Sequence, residues 1–311
     1  MRKIEYPSDP AQMTLLKQDY LTHLGITFER KTIAGNLNQG CKEAKWQKFK
    51  ASTGVAALFP MSVEEIVLAP YTDLAAIYEK FIAHGFTDAE KSQLESIFNY
   101  DGYSSEIAKF FIDHADELNI HSCFYCETAY VNAYTIAGTT KKHFDVDHVL
   151  PKKKCPILAL SLFNFVPSCQ VCNSRIKKDN PIGRTSAERE KLSPTSSDYK
   201  FEDNVRFRLR PLKRGVRKFV AKPTLFKIKV NATPPYDHEV AFFHLEERYE
   251  YHKMEALRLK DLKAQYPRAH TKKIAKLLGR SVKDVEEDIF HKKFLTSFDR
   301  CFRKFTLDIL K

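Results

Sequence analysis

Two Cys-x-x-Cys pairs enclose a polar segment near the middle of the chain. The first pair is Cys123 and Cys126, and the second pair is Cys169 and Cys172. Four thiolates satisfy tetrahedral zinc, and the short gap inside each pair lets it hold one ion from a tight turn. The spacing therefore predicts a structural Zn²⁺ site that joins two distant parts of the chain.

Residues that could hydrolyse a phosphodiester lie between and beside these pairs. Asp147 and His148 are adjacent, and Asn164 lies further along. Asn173 comes directly after the second pair. Phosphodiester hydrolysis requires an activated water, neutralisation of phosphate charge and stabilisation of the leaving oxygen. A histidine can take the proton of the water, and carboxylate and amide oxygens can hold a hard cation, so His148 is the candidate general base.

Each polar residue of this segment also has a simpler interpretation. Asn164 could cap a turn, and Asn173 could be a helix N-cap. Asp145 could support a metal ligand or lie exposed on a strand, and we expect the exposed position. In an ideal strand Asp147 and His148 point to opposite faces, so both serve one site only if the strand bends.

The elements that must position these residues can be predicted from the pattern. His143 to Val149 alternates and is rich in β-formers, which predicts a strand. A basic loop follows from Pro151, and Leu158 to Val166 is apolar. Cys172 to Lys178 is expected to begin a helix, because a zinc-bound turn leads well into a helical N-terminus.

Before this segment the chain is expected to be mostly helical. Apolar residues recur at helical spacing in Tyr71 to Ala83, Ala89 to Phe98 and Ser104 to Leu118. Gly85 is the expected stop of the first of these helices, and Ser104 is the expected cap of the last. Trp46, the single tryptophan, is flanked by lysines, and packing into the core is favoured over nucleic-acid contact.

After this segment the chain becomes strongly basic. Residues 183 to 203 are rich in Ser, Thr and charge, which indicates a linker or an exposed loop. Arg206 to Lys229 contains ten Lys or Arg and no acid, and its first part alternates like a strand with one basic face. We expect a surface that follows phosphates; the alternatives are a solvated strand or a face for an acidic partner protein.

The candidate nucleic-acid contacts form one set of cations around and after the polar segment. They are Lys152, Lys153, Lys177, Lys178, Arg206, Arg208, Arg210, Lys213, Arg214, Arg217 and Lys218.

Two helical patterns complete the chain. Leu245 to Gln265 is expected to be one charged helix. Thr271 to Glu286 resembles a helix-turn-helix, with a glycine turn and a serine cap. Its second helix carries acids such as Asp284 and Asp288, which would repel DNA, so plain packing is favoured over base reading.

Composition limits the class of protein. The chain has 311 residues, 43% of them hydrophobic, and carries a net charge of +12, from 51 Lys and Arg against 39 Asp and Glu. This favours a globular protein with an anionic partner, nucleic acid before an acidic membrane surface. Neither a signal peptide nor a membrane span is recognisable, so a soluble, cytoplasmic protein with reduced cysteines is expected.

The polar segment resembles the HNH, or ββα-metal, endonuclease family. The similarity rests on Asp147-His148, Asn164 and Cys-x-x-Cys-Asn173, and is nearest to members braced by two Cys-x-x-Cys pairs, such as phage recombination endonucleases. It covers roughly residues 122 to 180. The resemblance implies that His148 is the general base and Asn164 orients it. It also implies that Asp147 and Asn173 bind catalytic Mg²⁺ or Mn²⁺, while the zinc is structural.

The resemblance also suggests a setting and an organisation. HNH proteins of this kind occur in bacterial anti-phage defence, including Septu-type and retron-associated systems in which an ATPase accompanies the nuclease. We therefore expect an α+β fold with a helical region at 1–118 that could dock a partner. A zinc-braced ββα-metal HNH core would occupy 119–182, and a basic strand-plus-helix region 183–311. The expected target is DNA, with RNA as an alternative, and the expected products carry 5′ phosphates.

Two other functions are compatible with the sequence. The chain could be a zinc-braced module that binds nucleic acid without catalysis. It could also be a nuclease subunit that stays silent until a partner ATPase activates it. No phosphate-binding glycine-rich motif is present in the sequence, so any ATPase would be a separate protein.

Overall fold

The computed structural model shows an α+β protein, with many helices and four small antiparallel sheets in the residues that it describes. It describes residues 2–25, 41–213, 222–291 and 301–311, together with the backbone of 32–33 and 36–37. The apolar residues of the helical first third, the central segment and the C-terminal third join in one continuous core.

The first third is helical, as its periodicity predicts. Gly85, in the left-handed region at φ 73°, ends the fourth helix where the sequence predicts a stop. Capping boxes at Ser62 and Thr87 begin the third and fifth helices. Ser104 is the first residue of the sixth helix rather than its cap, and that helix already ends at Asp113. The helices are α1 (Pro10–Leu24), α2 (Lys42–Thr53), α3 (Val63–Leu68), α4 (Tyr71–His84), α5 (Asp88–Ile97) and α6 (Ser104–Asp113).

Trp46 lies in the core of this helical region. Its side chain is fully buried, and its indole N–H donates to the carbonyl oxygen of Met61 at 2.8 Å. The indole packs edge-on against Phe98, with ring centroids 5.7 Å apart. The prediction that Trp46 packs inward is confirmed.

Each sheet consists of one antiparallel pair of strands. The third pair, which carries the polar segment, aligns Asp145 with Ser168 and His148 with Phe165. The observed strand is shorter than the predicted one, because residues 143–144 lie outside the ladder. The strands are β1 (Thr32–Ile33), β2 (Asn36–Leu37), β3 (Ala133–Ile136), β4 (Thr139–Lys142), β5 (Asp145–His148), β6 (Phe165–Ser168), β7 (Val205–Pro211) and β8 (Phe226–Ala232).

A helix of wide, π-type winding follows β6 and spans Val171–Lys177. We call it the site helix. It begins close to the predicted position and packs beside the β5–β6 hairpin through side-chain hydrogen bonds described below. Wide windings of this kind shift side chains relative to an ordinary α-helix and are frequent at functional sites.

The segment 183–203 is not a linker. It contains α7 (Ser186–Leu192), and the following turn is buried at Ser193 and Ser196. The carbonyl oxygen of Pro194 accepts a hydrogen bond from the backbone N–H of Ile4 at 2.8 Å. Small hydroxyl residues look like loop residues in a sequence, but here they pack tightly where two parts of the chain meet.

The C-terminal third follows its predictions with one exception. Strand β7 alternates between buried and accessible positions, as expected for a strand with one basic face. The expected single helix at 245–265 is divided at Tyr251 and His252. Gly279 and Ser281 separate the two final predicted helices as expected. The helices here are α8 (Phe201–Asn204), α9 (Tyr236–Phe242), α10 (Leu245–Glu250), α11 (Lys253–Gln265), α12 (Arg268–Leu278), α13 (Val282–Phe290) and α14 (Arg303–Leu310).

Candidate active site

The four cysteines of the two Cys-x-x-Cys pairs converge. Their sulfur atoms all lie within 4.8 Å of one another, and Cys126 Sγ is 3.8 Å from Cys169 Sγ. Cys169 is half-buried, and the other three are fully buried. A set of four sulfur donors is the one that zinc prefers in structural sites. These residues, which we call the cysteine cage, could therefore hold a metal such as zinc.

Local backbone geometry brings each pair into position. After the first pair, the N–H of Glu127 donates to the carbonyl oxygen of Cys123 at 2.8 Å, and Glu127 itself has φ 55°. At the second pair, the N–H of Asn173 donates to the carbonyl oxygen of Cys169 at 3.0 Å. The first pair thus sits in a tight turn, and the second pair sits at the start of the site helix.

Polar neighbours support negative charge on the cysteine cage. A guanidinium N–H of Arg248 donates to Cys172 Sγ at 3.3 Å, and Thr128 Oγ1 lies 3.1 Å from Cys126 Sγ. Hydrogen bonds from the other cysteines, Cys123 first, hold the pKa of Cys126 well below its usual range. Four thiolates around Zn²⁺ leave two negative charges, so a nearby guanidinium is favourable. Nothing in the sequence indicated Arg248, because it lies far from both pairs.

Asp145 and Asn173 are brought together at the edge of the β5–β6 hairpin. Asn173 Nδ2 donates to Asp145 Oδ2 at 3.1 Å, and the hydroxyl of Ser174 donates to the same oxygen at 3.2 Å. Asp145 is half-buried rather than exposed as the sequence led us to expect. Its position next to Asn173 gives a carboxylate and an amide oxygen, the ligand types of a divalent cation.

Asp147 has a closed environment. Its carboxylate accepts a hydrogen bond from the hydroxyl of Tyr125 at 2.7 Å and pairs with Lys177 Nζ at 3.2 Å. Burial raises the pKa of Asp147, and the Lys177 ammonium and the Tyr125 hydroxyl oppose that rise. The assignment of Asp147 as a metal ligand stays a prediction. Both partners of its carboxylate would have to move before a metal could bind, and Asn173 contacts Asp145 rather than Asp147.

His148 is buried beside aromatic rings. Its Nε2 lies 3.0 Å from the carbonyl oxygen of Ala159, and Tyr100 and Phe165 pack against the ring with centroids 4.5 Å and 4.8 Å away. A carbonyl only accepts, so Nε2 carries the proton and Nδ1 keeps its lone pair. Burial lowers the pKa of His148 to about 3, so the imidazole is neutral at neutral pH. A neutral imidazole is the form that can accept a proton.

Asn164 is a fully buried bridge between backbone segments. Its Nδ2 donates to the carbonyl oxygens of Leu150 and Leu158 at 3.0 and 3.1 Å, and its Oδ1 accepts from the N–H of Leu150 at 2.8 Å. These bonds fix the loop that leads to Ala159, the hydrogen-bond partner of His148. A role in orienting His148 remains a prediction that this geometry supports.

The predicted phosphate-contacting lysines divide into two groups. Lys177 is fully buried and donates to the carbonyl oxygen of His148 at 2.6 Å, so the prediction that it contacts phosphate is wrong for this structure. Its ammonium instead serves as the counter-ion of Asp147. Lys152 and Lys153 are accessible but form ion pairs with Asp101 and Asp179 at 2.7 and 2.9 Å. Lys178 is exposed at the end of the site helix.

The basic strand presents only part of the predicted surface. Arg208, Arg210 and Lys213 are exposed, whereas Arg206 is half-buried because its guanidinium donates to the carbonyl oxygens of Glu202 and Val205. A groove of about 400 Å³ runs along this strand and is also lined by Lys260 and Lys311. The predicted contacts Arg214, Arg217 and Lys218 lie outside the described residues.

One cavity of about 300 Å³ unites the candidate catalytic residues. Asp145, Asp147, His148 and Asn173 line it together with two of the predicted phosphate contacts, Lys152 and Lys178, and with residues that the sequence did not indicate. Ser174 and Lys142 are close to the polar segment in the sequence and could have been predicted as lining residues. Tyr100 lies in the helical first third, and no sequence pattern connects it with the cavity. The additional lining residues are Tyr100, Lys142, Val146, Pro151, Ser174 and Asp179.

Comparison with protein-family models, with curated proteins and with solved structures finds no match to this chain. Within the described residues, none of the helices combines the length and apolar character needed to cross a bilayer.

Proposed function

We propose that this protein is a metal-dependent HNH-type endonuclease that hydrolyses phosphodiester bonds of nucleic acid, with DNA as the target. The observation that carries the proposal is the 300 Å³ cavity in which Asp145, His148 and Asn173 meet beside the cysteine cage. A buried neutral imidazole next to a carboxylate–amide pair is a combination suited to metal-assisted hydrolysis.

His148 acts as the general base in the proposed reaction. The hydrogen bond from Nε2 to Ala159 fixes the tautomer, so Nδ1 is the atom that accepts the proton of the attacking water. Edge-on packing against Tyr100 and Phe165 holds the ring orientation. The low pKa of His148 makes it a weak base in isolation, so its effectiveness depends on positioning rather than on basicity.

Asp145 and Asn173 are the best-placed residues to hold a catalytic Mg²⁺ or Mn²⁺. Their side chains are already in contact, and both line the cavity. When bound there, the cation would neutralise the phosphate and stabilise the leaving 3′ oxygen. Asp147, which the HNH resemblance favours as ligand, would first have to release Lys177 and Tyr125.

Cations at the rim of the cavity fit a phosphate backbone. Lys142 and Lys178 are exposed, and the ammonium of Lys152 lies 4.2 Å from the centroid of the Tyr100 ring. These residues would position the substrate without reading its sequence. The cysteine cage, once it holds zinc, would brace the β5–β6 hairpin and the site helix rather than take part in the reaction.

The cellular role follows only from the resemblance. We place the proposed nuclease in bacterial anti-phage defence in the cytoplasm, with residues 1–118 as the docking region for a partner ATPase. Recovery of no ATPase in a pull-down from the native host would contradict that part of the proposal while leaving the hydrolytic activity untouched.

A plasmid-cleavage assay with purified protein tests the activity. Wild type is expected to cut in Mg²⁺ or Mn²⁺ and not in EDTA, and His148→Ala is expected to lose the activity with its zinc content unchanged. His143→Ala is the matched control, because His143 is exposed just before the same strand. Cleavage by His148→Ala at the wild-type rate would show that the general base is assigned incorrectly.

A non-catalytic nucleic-acid-binding module is the second candidate. The observation that favours it is the closed environment of Asp147, whose carboxylate is paired with Lys177. Binding of nucleic acid without any product, in either metal and with a full complement of zinc, would support this alternative and would also be the result for a subunit that awaits its partner.

A further inference from the structure

Strands β3 and β4 form a ribbon that stands apart from the core. Seven of its eight strand residues are exposed, and Ala133 is intermediate. The two strands are joined by Ala137 and Gly138 at φ 49° and 78°, the mirror-image turn that matches the twist of a hairpin. We call residues 133–142 the ribbon. An isolated two-stranded hairpin is only marginally stable in water. A hairpin whose side chains are exposed on both faces is therefore expected to have a binding partner.

One face of the ribbon is apolar and cationic. Tyr134 is 46% exposed and Ile136 is 58% exposed, and the two lie on one face because they are two residues apart in a strand. Lys141 is the direct cross-strand partner of Tyr134 and therefore shares that face. An exposed aromatic ring, an aliphatic side chain and an ammonium side by side form a surface that can contact both bases and phosphates.

The other face of the ribbon leads to the candidate active site. Thr135 and Thr140 are opposite each other, with hydroxyl oxygens 3.2 Å apart. Lys142 lies on the same face and lines the cavity that contains His148. The N–H of His143, the next residue, donates to the carbonyl oxygen of Asn132 at 2.8 Å and closes the base of the ribbon. The ribbon thus begins at the rim of the cavity.

The charge of the ribbon limits the kind of partner it can take. It contains two lysines and no acidic residue. Among the ion pairs of the described residues, none involves Lys141 or Lys142. Uncompensated cations on both faces fit a partner that surrounds the ribbon with negative charge, and a nucleic-acid groove lined by phosphates on both sides has that form.

We propose that the ribbon enters the groove of a nucleic-acid duplex next to the bond that is cut. The inference rests on the proposed function, because the cavity fixes where the scissile phosphate must lie. The major groove of DNA admits a two-stranded β-ribbon. In this arrangement the two faces of the ribbon are turned toward the two sides of the groove, so Lys141 on one face and Lys142 on the other contact phosphates of opposite strands, and Tyr134 and Ile136 contact the side that Lys141 faces. The partner is therefore a duplex, and an acidic protein is the competing occupant.

Equilibrium binding of the full-length, zinc-loaded protein tests the ribbon without relying on cleavage. Fluorescence anisotropy would be measured in buffer without Mg²⁺, Mn²⁺ or chelator, with a labelled 20-base-pair DNA duplex and with one of its strands alone. Tyr134→Ala combined with Lys141→Ala is expected to weaken duplex binding by about 10- to 100-fold, and the salt dependence of binding is expected to fall by about one unit of slope. Single-strand binding is expected to change much less.

Two further variants keep the result interpretable. Tyr251→Ala is the matched control, because Tyr251 is 89% exposed on a different part of the surface and should leave duplex binding unchanged. Ala137→Asn relieves an alanine held at φ 49° and creates the Asn-Gly turn that such hairpins prefer. It is expected to retain the fold and to bind the duplex at least as tightly as wild type.

The outcomes separate the ribbon from the proposed catalytic function. Unchanged duplex binding by the double variant, an equal loss in Tyr251→Ala, or a loss confined to the single strand would overturn the ribbon proposal even if the plasmid is cut. Loss of duplex binding by the double variant, when wild type binds the duplex but never cuts it, would support the ribbon and leave a non-catalytic module or a subunit that awaits its partner. Zinc content and the thermal midpoint of each variant establish that binding losses do not come from unfolding.

Discussion

Strand β5 carries two carboxylates that differ in burial and in hydrogen-bond partner. Asp147 is buried and paired with Lys177, whereas Asp145, two residues earlier, is half-buried at the edge of the cavity and bonds to Asn173. Both point to the same face of the strand, and both contact the site helix, which presents Asn173 and Lys177 four residues apart. Strand β5 and the site helix therefore contact each other at two positions. We call the buried pair of Asp147 and Lys177 the closed position, and the accessible pair of Asp145 and Asn173 the open position.

One strand thus carries both a carboxylate that braces the fold and a carboxylate that stays accessible. The closed position joins the site helix to the cysteine cage, because Tyr125 lies inside the first Cys-x-x-Cys pair and donates to Asp147. The open position leaves a carboxylate where a cation and a phosphate can reach it. Four predictions follow, from the largest expected effect to the smallest; the first three test these two positions, and the fourth tests a buried acid elsewhere in the fold.

Removing a ligand of the cysteine cage should disrupt both positions. Cys172→Ala is expected to abolish metal binding and to unfold the central region, because binding of a structural zinc contributes directly to folding. Zinc quantification and circular dichroism would measure the loss. Cys155→Ala is the control, since Cys155 is a buried cysteine outside the cage and its replacement should leave about one zinc per chain. Equal zinc content in both variants would contradict the cage.

Removing the ammonium of Lys177 should disrupt the ion pair with Asp147 and leave the contact between Asp145 and Asn173 in place. Lys177→Met leaves the buried Asp147 unpaired and is expected to lower the free energy of unfolding by about 3–5 kcal/mol. Urea denaturation would measure it. Lys178→Met, at the exposed neighbouring lysine, should change stability by less than about 0.5 kcal/mol. A small effect at both positions would mean that Asp147 is not held by Lys177 in solution.

Matched amide substitutions should tell the two carboxylates apart. Asp145→Asn is expected to weaken Mn²⁺ binding and cleavage by roughly 100-fold with little change in stability, since it removes the accessible charge. Asp147→Asn is expected to lower stability by about 1–2 kcal/mol, because the Lys177 ammonium loses its partner. Calorimetric titration with Mn²⁺ and urea unfolding would measure both. If only Asp147→Asn lost Mn²⁺ binding, the assignment implied by the HNH resemblance would be correct.

A second buried acid, Glu239, should make stability depend on pH. Burial raises the pKa of Glu239 to about 8; one oxygen accepts from the Tyr199 hydroxyl at 2.7 Å, and the other has no hydrogen-bond partner among the residues that the structure describes. The folded state then binds more protons than the unfolded state from about pH 4.5 to 8, so stability falls as pH rises through that window and is level above it. Glu239→Gln should reduce this slope.

The test of this prediction is the midpoint of urea unfolding at several pH values. At pH 8 Glu239→Gln is expected to be more stable than wild type by about 1–3 kcal/mol, because an amide can be buried without a charge. At pH 5 the two proteins should differ much less. An identical pH dependence in both would show that the carboxyl group of Glu239 is ionised in the fold at low pH.

The sequence predicted those features that local chemistry decides. Helix α4 stops at Gly85 because the left-handed conformation there favours glycine, and strand β7 alternates because one face is buried. The cysteine cage was predictable for the same reason, since spacing alone restricts how two Cys-x-x-Cys pairs can act. Such signals reside within a few consecutive residues.

The features that the sequence could not predict depend on neighbours distant in the chain. Lys177 resembles an ordinary surface lysine until Asp147 is placed beside it, and Arg248 has no local pattern that connects it with Cys172. The turn at 193–196 resembles a linker, but the contact with Ile4 buries it. In each case the decisive partner is brought close only by the tertiary fold.

The turn of the first cysteine pair is also held from the far end of the chain. Glu127 is buried directly after that pair; its carbonyl oxygen accepts from the N–H of Phe302 at 2.8 Å, and its carboxylate accepts from the N–H of Lys304 at 3.0 Å. During synthesis on the ribosome these donors appear long after the cysteines have emerged. The turn of the first cysteine pair can therefore gain these two hydrogen bonds only after α14 has emerged.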